Sequence, residues 1–217
     1  DSLFPLHNWR ECCRDAISPK AVARWSEDRS QGDDTLLVEQ ICKRLLPRRG
    51  LMGKPEEVVV TVGAQHALFL VAQLLADAAT VIGVENPGYV DVRNIFALTR
   101  ARLQPLEVDA QGLVIDERLS DCQLLYVTPS HQSPTTVTMP MARRQALLEQ
   151  ARKSDTLIIE DDYESEFNYS GTPLPALKSL DTEGRVIYVG SLSKTIAPGL
   201  RMGFIAAPTA LIGELRA

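Results

Sequence analysis

Apolar residues follow two different periods along the chain. Between Leu37 and Leu45 they recur every three or four residues, which predicts a helix that ends at Pro47. From Glu57 to Val62 the residues form an almost continuous β-branched run, which is typical of a strand covered on both faces. The same two patterns then alternate towards the C-terminus, whereas the opening before Leu37 is predicted to be irregular.

The remaining elements follow from the same signals. Strands are expected at 80–84, 103–108, 122–128, 156–162, 186–190 and 203–207. Helices are expected at 64–77, 90–99, 141–153 and from 208 onward. This alternation predicts an α/β fold with a three-layer, mostly parallel sheet and helices on both faces. Because no linker divides the chain, a single domain is expected over 1–217.

Composition narrows the class of protein. The chain has 217 residues, of which 45% are hydrophobic and 24% charged, as is ordinary for a globular protein. A net charge of −5 argues against a nucleic-acid-binding surface on this chain. Four cysteines without metal-binding spacing, three scattered histidines and no long apolar run predict a cytoplasmic protein with reduced thiols, no metal site and no membrane segment.

Chemically reactive residues cluster where the predicted strands end. In open α/β sheets, ligands bind beyond the carboxyl ends of the strands. The segments at these ends are Gly63-Ala64-Gln65, Asn86-Pro87-Gly88-Tyr89, Pro129-Ser130-His131, Asp161-Asp162-Tyr163 and Ser191–Lys194. We expect these five segments to face one crevice.

The stretch from Ser191 to Phe204 carries the strongest signal. Lys194 follows a buried strand, where poor solvation favours the neutral, nucleophilic form of its amine. Ser191, Ser193 and Arg201 offer the hydroxyl donors and the planar cation that a phosphate monoester needs. An amine nucleophile beside a phosphate cradle is what a Schiff base with pyridoxal 5'-phosphate (PLP) requires.

The turn Gly63-Ala64-Gln65 joins a predicted strand to a predicted helix. Its amides and the positive end of the helix dipole would favour an anion there. The alternative is an ordinary turn in which the glycine serves packing. Because Ser191, Ser193 and Arg201 are expected at the same edge of the sheet, we favour a shared phosphate site.

Asp161 and Asp162 end a predicted buried strand. One of these carboxylates could pair with the protonated pyridine nitrogen of PLP, while helix capping or a solvated loop is the alternative. The hydroxyl of Tyr163 could donate to the phenolic oxygen, and Tyr89 could stack on the ring or pack against the next helix. His131 could reach cofactor or substrate, or serve only as a hydrogen-bonding residue.

Five motifs, spread over nearly the whole chain, carry a resemblance to a known family. They are Glu85–Tyr89, Thr128–Gln132, Val137–Pro140 with Arg143-Arg144, Glu160–Tyr163 with Glu166-Phe167, and Ser191–Phe204. They resemble the large domain of fold-type I PLP enzymes, the aspartate aminotransferase superfamily. More narrowly, they resemble the aminotransferase-like domain of MocR-type transcription regulators of the GntR superfamily. The chain departs from the family pattern at Ser133, where an aromatic residue is usual, and at Thr136, where glycine is usual.

The resemblance implies a role for each site residue. Lys194 would be the Schiff-base lysine. Asp161 would pair with the pyridine nitrogen, and Tyr163 would hydrogen-bond the phenolic oxygen. These three would be the catalytic residues. Tyr89 would stack on the ring and Arg201 would bind the phosphate. The rest of the phosphate cup would be Ala64, Gln65, Ser191 and Ser193.

Three functions are open at this point. The first is a PLP-binding effector domain of a MocR-type regulator, which forms the Lys194 Schiff base and exchanges it with a small amino compound. The second is a catalytically active class I/II aminotransferase acting on an amino acid. The third, a degenerate fold used only for dimerisation, fits poorly with an intact set of Lys194, Asp161, Tyr163 and Arg201.

The resemblance also implies partners and neighbouring domains. It implies a homodimer, and DNA binding only through an N-terminal winged helix-turn-helix. That domain and the C-terminal small domain are not in the chain, so a fragment is expected. The particular residues of the Thr128–Gln132 and Glu160–Tyr163 motifs favour the regulator over the enzyme.

Overall fold

The structure is a computed structural model that describes residues 4–27, 32–164, 174–193 and 197–217. Lys194 and the pair Glu166-Phe167 therefore lie outside the described residues. In the described part of the chain, eight strands form one sheet: β1 (Val58–Thr61), β2 (Val81–Asn86), β3 (Arg102–Asp109), β4 (Gly112–Leu113), β5 (Leu124–Val127), β6 (Leu157–Asp162), β7 (Val186–Ser191) and β8 (Gly203–Ala206).

Helices connect most of these strands. They are α1 (Leu6–Ala16), α2 (Pro19–Trp25), α3 (Thr35–Gln40), α4 (Leu46–Arg48), α5 (Gly63–Leu75), α6 (Val90–Ala97), α7 (Met141–Ser154), α8 (Leu177–Leu180) and α9 (Thr209–Arg216). A π-helical segment, Ile41–Leu45, joins α3 to α4, and 3₁₀ turns lie at Pro55–Glu57, Glu117–Asp121 and Pro198–Leu200. None of the described helices has the length and hydrophobicity needed to cross a lipid bilayer.

The strand order is β1-β8-β7-β6-β5-β2-β3-β4. β7, β6, β5, β2 and β3 run parallel to one another, while β8 pairs antiparallel with both β7 and β1. β8 therefore begins at the edge where its neighbours end. Because of this reversal, Arg201, two residues before β8, reaches the same edge as Ser191 at the end of β7.

Two layers of helices cover the sheet. Neighbouring side chains of β7 point to opposite faces, so Ile187 packs into a core with α5, α6 and α9, and Val186 into a core with α7 and α8. Tyr188, on the same face as Val186, packs against α3 and α4. The predicted three-layer, mostly parallel α/β fold is confirmed.

One local prediction was wrong. The opening is not irregular but forms α1 and α2, and Ser18-Pro19 is a helix-start signal because the Ser18 hydroxyl accepts from the Ala21 amide at 3.4 Å. The helix after Leu37 runs without a break through the π-helical segment and α4, and it ends at Arg48, one residue beyond the predicted end at Pro47.

Candidate cofactor site

A cavity of about 280 Å³ lies at the edge where the parallel strands end. It is lined by eight of the residues predicted from the sequence, Ala64, Gln65, Tyr89, Asp161, Tyr163, Ser191, Ser193 and Arg201, and by Tyr126 and Ser133. The structure thus brings segments after β1, β2, β5, β6 and β7 to one place. Arg201 completes the set from the start of β8.

One end of the cavity is suited to an anion. α5 begins at Gly63 without a side-chain cap, so its first amides have no partner within the helix. Gly63 has a φ of +80°, and a Cβ there would lie 3.4 Å from Nη2 of Arg201. Nη2 itself is 3.4 Å from Oε1 of Gln65. A Cβ at Gly203 would lie 2.8 Å from the Gly63 carbonyl carbon, so a glycine at 203 lets β8 approach the start of α5 closely.

Two serines continue this end of the cavity. The amide of Ser193 donates to Ser191 Oγ at 3.3 Å, which shapes the turn after β7. Ser193 Oγ is buried and has no hydrogen-bond partner among the described residues. A buried hydroxyl without a partner is uncommon and suits a ligand oxygen.

Asp161 lies deep in the cavity. Its Oδ2 accepts a hydrogen bond from the Tyr126 hydroxyl at 2.8 Å, and its buried Oδ1 has no partner within the described ranges. Burial raises the pKa of Asp161 to about 7; the charge of Asp162 also raises it, while the Tyr126 hydrogen bond lowers it. A carboxyl group with one unpartnered oxygen fits a cationic N–H donor.

Asp162 lies on the other face of β6 and does not line the cavity. Its Oδ2 accepts from Arg49 Nε at 2.6 Å and from the Tyr188 hydroxyl at 2.7 Å. Arg49 also donates to Ser130 Oγ at 2.8 Å. Asp162 is thereby committed to a buried ion pair, and Asp161 is the carboxylate that the structure offers to a ligand.

The aromatic residues of the cavity have distinct surroundings. The Tyr89 hydroxyl accepts from Gln65 Nε2 at 2.7 Å and donates to Asp91 Oδ2 at 3.0 Å, which fixes this ring beside the start of α5. Burial raises the pKa of Tyr163 to about 12, and a hydrogen bond with Ser133 opposes that rise. Tyr163 therefore keeps its proton at neutral pH and is a hydrogen-bond donor.

Among the predicted residues that the structure describes, His131 does not line the cavity. His131 packs edge-on against Tyr163, with ring centroids 6.1 Å apart, and its Nε2 lies 3.3 Å from Glu164 Oε2. Lys194 lies outside the described residues, directly after Ser193. Tyr126 was not predicted from the sequence, because a tyrosine inside an apolar strand has the same pattern as a packing residue.

Comparison with known proteins identifies the family. Residues 28–217 match the family model described as aminotransferase class I and II. The chain belongs to this family. It is 43% identical to the HTH-type transcriptional regulator TauR of Rhodobacter capsulatus, over 99% of the chain and 44% of that protein. It is 37% identical to the probable rhizopine catabolism regulatory protein MocR of Rhizobium meliloti, over 96% of the chain and 42% of that protein.

Solved structures of this family share the fold. The chain matches Pyrococcus horikoshii kynurenine aminotransferase with a TM-score of 0.89 and 30% identity, over 98% of the chain and 55% of that protein. It matches an α-aminoadipate aminotransferase, LysN of Thermus thermophilus, with a TM-score of 0.88 and 28% identity, over 100% of the chain and 56% of that protein. The chain thus spans less than half the length of the curated regulators that it matches.

Membership of this family implies PLP as the cofactor, which confirms that prediction. The described residues fit the group at both ends. Asp161 Oδ1, which has no partner in the described ranges, fits its ring nitrogen. Ser193 Oγ, which also lacks a described partner, fits its phosphate together with the guanidinium of Arg201 and the start of α5.

Proposed function

We propose that the chain is the PLP-binding effector domain of a MocR-type transcription regulator. The observation that carries PLP binding is the cavity, which has at Asp161 a buried carboxyl oxygen that no described residue contacts by a hydrogen bond, and an anion site at Arg201. The regulator assignment is supported by the similarity to TauR and MocR over nearly all of the chain. We further propose that residues 1–217 form one PLP-binding large domain.

PLP, when bound, supplies an aldehyde that bonds covalently to an amine and a protonated ring that withdraws electrons from the bonds next to that amine. Asp161 would hold the proton on the ring nitrogen. Because burial raises its pKa to about 7, a cationic N–H against Oδ1 would favour the ionised carboxylate. Tyr126 keeps that carboxylate in place through Oδ2.

Tyr163 and Tyr89 would orient the ring. Tyr163, with a pKa of about 12, retains its proton and would donate to the phenolic oxygen. Tyr89 is held by Gln65 and Asp91 at the cavity wall, where its ring would stack on the pyridine. His131, next to Tyr163, would act through that tyrosine.

The phosphate would be bound by residues from three elements. Arg201 would pair with it from the start of β8, Ser191 and Ser193 from the end of β7, and the amides of Ala64 and Gln65 from the start of α5. All of these groups donate hydrogen bonds or carry positive charge. Their convergence would fix the orientation of the whole cofactor.

Lys194 would be the covalent anchor and the residue that moves the proton during exchange with a bound amine. It directly follows Ser193, a cavity residue. The proposed ligand is a small amino compound or amino acid whose amine displaces that of Lys194. We propose in addition that the protein is a homodimer, and that DNA is bound by a separate winged helix-turn-helix domain.

A catalytically active aminotransferase is the second candidate. The chain is 36% identical to aromatic-amino-acid aminotransferase 1 of Thermococcus litoralis, over 73% of the chain. The match to TauR is higher in identity and covers 99% of the chain, so the regulator is favoured. Both functions use the same cavity. They differ in whether the protein transfers amino groups from an amino donor to a keto acid over repeated turnovers.

The test uses the full-length protein. Added PLP is expected to give a visible absorbance band that Lys194→Ala abolishes, whereas Lys153→Ala on the exposed side of α7 leaves it unchanged. DNA binding is then measured with and without a panel of amino compounds. A compound that shifts both the band and the DNA affinity supports the regulator. Multiple turnovers with no effect on DNA would favour the aminotransferase, and an unchanged band in Lys194→Ala would refute the lysine assignment.

A further inference from the structure

Glu85 is a buried carboxyl group for which the proposed cofactor chemistry has no use. It lies near the end of β2, and only 1% of the residue is exposed. Its Oε2 accepts hydrogen bonds from Thr128 Oγ1 at 2.6 Å and from Gln132 Nε2 at 3.3 Å. Its Oε1 is buried and without a partner among the described residues. Burying a carboxyl group is unfavourable, so these hydrogen bonds need an explanation.

Both partners of this carboxyl group belong to one loop of the cavity, and one of them also contacts a second loop. Thr128 and Gln132 lie in the loop after β5, which carries Ser133. Gln132 Nε2 also donates to the carbonyl of Pro87 at 2.9 Å, in the loop after β2 that leads to Tyr89. Thr128 Oγ1 accepts from the Ser133 amide at 3.2 Å. One cluster therefore joins the loop that carries Tyr89 to the loop that carries Ser133.

The backbone around Glu85 leaves its side chain little freedom. A Cβ at Gly88 would overlap the carbonyl oxygen of Glu85, so the chain turns back tightly over the strand end. Arg93 Nη2 donates to that same carbonyl at 2.9 Å and to Asn86 Oδ1 at 3.0 Å. The carboxyl group is thus presented from a fixed backbone to the loop after β5.

The contacts of Glu85 do not depend on its charge. Burial raises the pKa of Glu85 to about 7, and the hydrogen bonds from Thr128 and Gln132 lower it. Oε2 accepts from both donors whether or not the group is ionised. A glutamine at this position would present the same acceptor, whereas an alanine would present none.

We propose that Glu85 is a positioning residue of the cavity, whose carboxyl group locks the loop carrying Tyr89 to the loop carrying Ser133. The lock is a property of the protein without its cofactor. Only its consequence, a correctly placed Tyr89 and Ser133 for the cofactor, rests on the proposed function. Loss of the lock would let both loops open and would weaken cofactor binding.

The first measurement is hydrogen–deuterium exchange of the full-length protein without PLP. Glu85→Ala is expected to raise amide exchange in 86–89 and 129–133 at least tenfold, while Glu85→Gln keeps rates near those of the wild type. Thr128→Val removes the donor to Glu85 but also the acceptor of the Ser133 amide, so its exchange is compared over 86–89 and 129–132, where it is expected to behave as Glu85→Ala. Thr128→Ser retains the hydroxyl and is the matched control. If Glu85→Ala does not fold, the comparison of Thr128→Val with Thr128→Ser tests the proposal instead.

The second measurement is PLP titration of the same variants. Glu85→Ala and Thr128→Val are expected to weaken the dissociation constant at least tenfold, against less than threefold for Glu85→Gln and Thr128→Ser. Unchanged exchange in Glu85→Ala and Thr128→Val, or equal effects of Glu85→Ala and Glu85→Gln, would overturn the lock. Faster exchange with unchanged PLP affinity would overturn its positioning role. A wild type that binds no PLP would refute the proposed function. The connection between the two loops through Glu85 would then be tested by the exchange measurements alone.

Discussion

Asp161→Asn is expected to change stability and cofactor affinity in opposite directions. The carboxyl group is buried, accepts one hydrogen bond from Tyr126 and leaves Oδ1 without a described partner. Asparagine keeps an oxygen for Tyr126 but carries no charge. Without PLP, the substitution therefore removes an unfavourable buried charge. With PLP, it removes the anion proposed to face the ring nitrogen.

The magnitude follows from the pKa of Asp161, which burial raises from 3.8 to about 7. That difference corresponds to an upper bound of about 4 kcal/mol on the cost of ionising the group in the folded protein. The folded state binds the proton more tightly than the unfolded state. The free energy of unfolding of the apoprotein therefore falls as pH rises from about 4 to about 7 and then levels off. The variant lacks this contribution.

The assay is urea unfolding of the apoprotein at pH 4 and pH 8, for wild type and Asp161→Asn. At pH 8 the variant is expected to be the more stable by roughly 1–4 kcal/mol, and near pH 4 the two converge. PLP affinity is expected to fall about 10- to 100-fold, as for loss of a charge-assisted hydrogen bond. A variant that is less stable than the wild type at pH 8, or that binds PLP normally, would refute the reasoning.

Three further outcomes are expected. Arg201→Ala should weaken PLP binding about 10- to 100-fold with little change in stability, because the residue is exposed; titration with PLP checks this, with Arg185→Ala as control. Thr136→Gly should raise the melting temperature by about 2–4 °C, since Thr136 has a φ of 64°, which glycine adopts without strain. Scanning fluorimetry measures this, and a lower melting temperature in the variant would contradict the prediction. Arg144→Met should lose roughly 3 kcal/mol or more in urea unfolding, because the buried guanidinium donates to three backbone carbonyls.

The convergence of the strand ends could be predicted from the sequence. Parallel strands end at one edge, and each apolar run was followed by glycine, hydroxyl or acidic residues. The reversal of β8 could not be predicted, because its apolar run has the same pattern as the parallel strands. That reversal brings Arg201 to the cavity, a position expected from its motif alone.

The choice between Asp161 and Asp162 also lay beyond the sequence. β6 is buried on both faces, so the pattern of apolar residues does not tell which aspartate faces the cavity. The decision comes from distant partners: Arg49, at the end of α4, pairs with Asp162, and Tyr126 of β5 pairs with Asp161. Long-range pairs of this kind depend on the register between strands.

Glu85 shows the same limit. Its motif marked a strand end, but its hydrogen bonds connect residues 43 and 47 positions apart in the chain. Thr136 is a contrasting case. The departure from glycine was visible in the sequence, and the structure shows that the position adopts a positive φ, where a threonine is strained.

The central claim is that one cavity at the strand ends binds PLP. The most direct measurement is a crystal structure of the full-length protein grown with PLP. We expect the phosphate against Arg201, Ser193 and the start of α5, and the ring nitrogen within hydrogen-bond distance of Asp161 Oδ1. PLP bound elsewhere, or a ring nitrogen facing away from Asp161, would contradict this account.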